Sequence, residues 1–188
     1  MKKITILFLV FFIFIQNIFS ENLFSFSGGI QSGFTFYGDK NLKSQNDEID
    51  GKHILAGALA NLNINPFNQV TFFAGADFLC DFFMQENFHS NHLHIDFPFG
   101  VKIYPGLKGL CFGLAYTFGF RYDFINTIDE NYTATTPWGN GAKLILEYNF
   151  AHSGKSKFLP TLGCSWKILP RGNNSYDNIL SAFIMLNF

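Results

Sequence analysis

Charge is scarce in this sequence. Asp, Glu, Lys and Arg make up 14% of it, against roughly 25% in a soluble domain. The chain lacks the material to cover a large water-facing surface. The few charges nearly cancel, to a net −1, and no basic cluster stands out, so a nucleic-acid partner is not expected. Cysteine is equally thin. Cys80, Cys111 and Cys164 are an odd set without metal-type spacing, each inside an apolar run, and they read as small hydrophobes within strands. There is no G-x-S-x-G, no phosphate loop and no metalloprotease motif. His89-Ser90 is an adjacent pair of the kind acyl transfer needs, but no carboxylate partner is evident. Neither an enzyme nor a cofactor is therefore expected.

Long apolar runs are also missing beyond the first twenty residues. None approaches the roughly 18 needed for a spanning helix. The one early run, Ile4 to Ile15, is broken only by Thr5 and preceded by Lys2 and Lys3. With the small Ser20 behind it, this has the form of a secretory signal peptide over 1–20. A single domain over 21–188 is then expected.

What is present is alternation, and Phe, at 26 residues. A strand sends successive side chains to opposite faces. Over 23–38, Phe24, Phe26, Ile30, Phe34 and Phe36 share one face and Ser25, Ser27, Gln31 and Thr35 the other. The same pattern recurs over 52–65, 69–83, 93–104, 109–124, 137–150, 158–169 and 179–188. Eight such strands form an even set, as closed bacterial barrels require. The stretches 38–51, 84–92, 125–136 and 170–178 are long and polar, whereas 65–68, 105–108 and 151–157 are shorter, with turn-forming Pro, Gly and Asn. Short periplasmic turns and longer outer loops fit that asymmetry.

Which face points outward follows from volume. An eight-stranded barrel has an interior just wide enough for side chains to fill. The Phe- and Leu-rich face carries too much bulk for it, while the opposite face is studded with Gly29, Gly33, Gly57, Gly75, Gly100, Gly113, Gly119, Gly139, Gly141 and Gly163. The strands are long enough to cross lipid, which takes about 9–11 tilted residues. Tyr148, Phe150 and Phe158 gather at one set of strand ends, and Phe36, Phe82, Tyr122, Phe124 and Trp138 at the other, like interfacial aromatic girdles. A soluble barrel with its apolar face inside is disfavoured on all three counts. The expected fold is all-β, an eight-stranded antiparallel up-and-down transmembrane β-barrel.

Phe188 and the alternating Leu180, Ala182, Ile184 and Leu186 before it resemble the terminal signal of bacterial outer-membrane barrels. The whole mature chain resembles the small eight-stranded outer-membrane barrels of the OmpX and OmpW kind, and its composition is similar to that of uncharacterised small-barrel proteins of spirochaetes. The resemblance implies the outer membrane as location and its lipid as solvent. It implies Phe188 as an assembly signal read by the barrel-assembly machinery, and a monomer.

Three sets of residues are candidates for function. Asp77, Asp96, Asp123 and Glu147 share the inward face with Lys102, Arg121, Lys143 and Lys167. Such charges must pair or be solvated, giving either a polar plug or a narrow passage. Leu55, Leu59, Phe73, Leu79, Ile145 and Phe183 on the same face favour the plug. His53, Asp81 and His94 are expected near the outer rim of neighbouring strands, with His89 and His92 close by. Imidazoles with a carboxylate suit a divalent transition metal, so metal or haem capture is a minor alternative. Last, the outer loops carry Asp39, Lys40, Lys43, Asp47, Glu48 and Asp50 in the first and Asp129, Glu130 and Tyr132 in the third. Exposed loops on a rigid scaffold are the usual seat of recognition. The expected function is a surface protein, a narrow passive channel for small or hydrophobic solutes. The alternative is a non-conducting adhesin or structural barrel binding a host or surface ligand through its loops.

Overall fold

A computed structural model describes residues 23–47, 52–85, 88–106, 109–126, 131–150, 159–171 and 175–188. The expected signal segment, 1–20, lies outside them. Nine strands are present among the described residues: β1 (Phe24–Phe36), β2 (Lys52–Phe67), β3 (Val70–Gln85), β4 (Phe88–Ile103), β5 (Leu110–Asn126), β6 (Asn131–Thr135), β7 (Gly139–Asn149), β8 (Pro160–Pro170) and β9 (Tyr176–Asn187). One helix, α1 (Lys40–Asp47), follows β1.

Every pairing is antiparallel, and strands next to each other in sequence pair, except that β6 and β7 both pair with β5. β1 meets β9 in register from Ser27↔Asn187 to Phe36↔Asn178, which closes the sheet into a barrel. Phe188 extends the seam. Its N–H donates to the carbonyl of Phe26 at 2.8 Å, and the Phe26 N–H donates back at 3.2 Å. Closure satisfies the backbone without an edge, the condition for crossing lipid with strands.

The wall has eight staves rather than nine. β6 and β7 both pair with β5, above and below a bulge where Thr136, Pro137 and Trp138 stand opposite Phe120 and Arg121. Thr136 satisfies the bulge locally. Its N–H donates to the Arg121 carbonyl at 2.9 Å, and its hydroxyl accepts the Arg121 N–H at 2.8 Å. Above the bulge the β5–β6 hairpin runs to Asn126, level with His89 of the neighbouring β3–β4 hairpin.

The outer face is apolar all round. Phe24, Ile30, Phe34, Leu62, Phe72, Phe99, Phe112, Leu114, Trp166 and Leu186 are exposed. Trp138 lies against Phe97, Phe118 and Phe120, with ring centroids at 5.0–6.1 Å. Large rings on the inner side need small neighbours. A Cβ on Gly163 would stand 2.4 Å from Cζ of Phe183, so only glycine lets that ring cross the lumen. Gly109, at φ +104° beside the β4–β5 turn, takes a backbone conformation that side chains disfavour.

Three expectations about the outer loops need correction. The 84–92 stretch is not a long loop: β3 runs to Gln85 and pairs with β4 from Phe88. The 125–136 stretch is largely the β5–β6 hairpin, and β9 begins within 170–178, at Tyr176. In each case strands continue above the apolar belt, where inward polar residues look like loop in sequence. The first loop holds α1, capped by Asp39, whose carboxylate accepts the N–H of Asn41 at 2.9 Å and of Leu42 at 3.3 Å.

Candidate functional site at the lumen and outer rim

The alternation that sends apolar side chains into lipid sends the charged ones into the lumen. They lie there in strata. Lowest, Lys102 donates to both oxygens of Glu147 at 3.0 and 2.9 Å. Tyr104, just past the end of β4, is buried beside them. Burial first, and the Glu147 charge second, push its hydroxyl well above the usual phenol range, so it stays protonated. Above this pair lies an apolar layer of Leu59, Phe73, Ala115, Ile145, Phe183 and Met185.

The next stratum is ionic. Asp77 and Asp96 face each other across β3 and β4. Two like charges in that position repel, and two lysines offset the repulsion. Lys143 donates to Asp77 at 2.7 Å, and Lys167 bridges Asp77 at 3.3 Å and Asp96 at 3.0 Å. Leu55, Leu79, Leu169 and Ile179 form a second apolar patch.

Beside that patch stands a pair of arginines. Arg171 bonds Asp177 at 3.1 Å, and Arg121 bonds both Asp177 and Asp123. Arg171 and Asp177 were not among the residues expected in the lumen. The stretch 170–178 read as loop, although Asp177 continues the odd-numbered inward face of Ile179 and Ser181. All eight charges singled out from the sequence are buried here and ion-paired.

The rim histidines part company. His53 contacts Asp81, stacks on Phe83 at 4.2 Å between centroids, and shares the carboxylate with the Tyr37 hydroxyl at 2.6 Å. Burial, and then the Asp81 charge, raise the Tyr37 hydroxyl well above the phenol range. His94 does not join them. It turns to Arg171, 3.1 Å from Nδ1, and a guanidinium at that distance opposes a metal ion. His89 is exposed on the far side. Among the described residues, no group of three or more His, Cys, Asp or Glu side chains is placed to hold a metal. The triad expected of His53, Asp81 and His94 is therefore not assembled, because adjacent strands put His94 nearer the β8–β9 cations than Asp81.

His92 is fully buried and engaged on both nitrogens. Ser90 Oγ lies 2.9 Å from Nε2, and Asp123 Oδ1 lies 2.7 Å from Nδ1. The Asn46 amide, from α1, stands 3.4 Å from Nε2. Leu42 and Asn46 are one turn apart and both buried, so α1 covers the outer mouth with that face. A cleft of about 340 Å³ remains between α1 and the β5–β6 hairpin, lined among others by Leu42, Arg121, Asp123, Ile125, Tyr132 and Arg171.

Solved structures share this architecture. Ail, the attachment invasion locus protein of Yersinia pestis, matches with a TM-score of 0.60 at 8% identity, over 88% of this chain and 97% of that one. Ail in complex with the heparin analogue sucrose octasulfate matches with 0.56 at 9% identity, over the same shares. Neisserial surface protein A matches with 0.52 at 11% identity, over 89% and 98%. The fold is that of the small eight-stranded outer-membrane barrels. No protein-family model matches the chain, and no curated protein sequence does.

Proposed function

We propose that this protein is a monomeric outer-membrane surface barrel that acts by recognition at its outer rim and does not conduct. The carrying observation is the filled lumen. Leu59, Phe73, Ile145, Phe183 and Met185 cross it in one buried layer, and the ionic strata above and below are paired within themselves. The rim, by contrast, is built outward. α1 caps the mouth, and the β5–β6 hairpin raises Tyr132 into solvent. A fold relative named for attachment and invasion supports recognition as the use of such a rim. The exposed apolar belt supports outer-membrane lipid as the surroundings, and the signal-like sequence of 1–20 supports export as the route there.

Planar-bilayer recording on refolded protein tests the reading against a narrow passive channel. No channel events are expected. Steady unit conductance would establish the channel instead. Replacing 40–47 and 131–135 with Gly-Ser linkers should leave the barrel folded and abolish binding to the surfaces the intact protein adheres to.

A further inference from the structure

We propose that Ser90, His92 and Asp123 form a nucleophilic serine site for small carboxylic esters at the outer mouth of the barrel, a function beyond recognition. The contacts run in the order that activates a serine hydroxyl. Ser90 Oγ meets Nε2 of His92, and Nδ1 of the same ring meets Asp123 Oδ1, at 2.9 and 2.7 Å. With Nδ1–H given to the carboxylate, Nε2 is the basic nitrogen and faces the hydroxyl. The sequence hid this arrangement because the carboxylate lies on the next strand, where register sets Asp123 opposite His92.

The triad is also held, and it lies next to a cleft. Arg121 fixes Asp123 through both carboxylate oxygens, at 2.7 and 3.2 Å. Asp123 and Ile125 line the 340 Å³ cleft, and Ser90 is paired directly with Ile125 across β4 and β5. The nucleophile thus stands beside the cleft wall, on a rigid strand. Ser90 is only 1% exposed, and Asn46 of α1 contacts its partner His92, so the substrate enters when α1 shifts outward. A cleft of this size takes a short acyl ester and not a long lipid chain.

The step balances with water alone. Ser90 Oγ bonds to the ester carbonyl carbon while its proton passes to Nε2 of His92. The carbon–alkoxy bond then breaks, and the alcohol leaves with that proton. Water repeats the sequence on the acyl-serine, with His92 as base, and releases the carboxylic acid. Asp123 is a positioning residue that holds the ring.

Diisopropyl fluorophosphate on the refolded full-length chain tests this, with peptide mass mapping and the heat-dependent gel shift of folded barrels as control. Expected is one adduct, on Ser90, and a labelling rate lowered about 100-fold or more in folded His92→Ala, the usual weight of a general base. Asp123→Asn should slow labelling, and Asp123→Glu should restore part of the rate. Leu42→Ala, which loosens α1, should speed it. Failure of Ser90 to label in both wild type and Leu42→Ala would overturn the proposal. So would labelling at an unchanged rate in His92→Ala. Turnover of p-nitrophenyl acetate above the Ser90→Ala background is the expected companion result, and its absence from a protein that labels would limit the site to stoichiometric acylation, against the proposal.

Discussion

Lys102 and Glu147 show what a single residue is worth inside this barrel. Both are buried, and each is the other's ion-pair partner. Removing one leaves an uncompensated charge in a narrow lumen, at a cost of about 3–5 kcal/mol. Lys102→Ala or Glu147→Ala should lower unfolding stability in detergent by that order. Replacing both together with Met and Leu should recover most of the loss, which urea titration of the three variants will show. Which residues face inward could be read from alternation, because the period of two is rigid. Which of them meet could not. Lys167 joins Asp77 and Asp96, on β3 and β4, from β8 across the barrel, and pairing at that range depends on tilt and stagger that no local pattern encodes. Arg171 and Tyr37 stayed hidden for another reason: each lies just past a strand end, where periodicity gives out.

Elements were legible in proportion to how long they touch lipid. The eight staves each carry many residues of strict alternation. α1 has eight residues and mainly one apolar contact, Leu42, so its only sequence signs are the Asp39 cap and the four-residue spacing of Leu42 and Asn46. Its stability leans on that cap. Asp39→Ala should cost the helix about 1 kcal/mol, seen as amide hydrogen exchange roughly fivefold faster across 40–47, with the strands unaffected. Unchanged exchange would mean that Leu42 and Asn46 hold α1 without its cap. β6 was missed because it reads as polar loop. Its five residues pair with β5, and among the described residues no strand pairs with their other edge.

At the scale of the molecule, the seam tests the expectation that Phe188 is an assembly signal. Phe188→Ala keeps both backbone bonds to Phe26 and removes only a ring that is 64% exposed. Spontaneous refolding into detergent should therefore be nearly unchanged. Outer-membrane levels in cells should fall severalfold, since a machine that reads the ring loses its cue. Equal levels of variant and wild type would remove that role.

The same seam has a consequence for quality control. β1 cannot complete its pairing until β9 exists, and β9 comes after the other eight described strands in chain order. A truncated chain keeps two raw edges, on β1 and on β8, and has no arrangement that satisfies them within lipid. In water such edges recruit other strands. The fold thus audits its own synthesis: a copy cut short of β9 gains no partial foothold in the bilayer and is left as debris for proteases, while only a chain that includes β9 can hide its backbone.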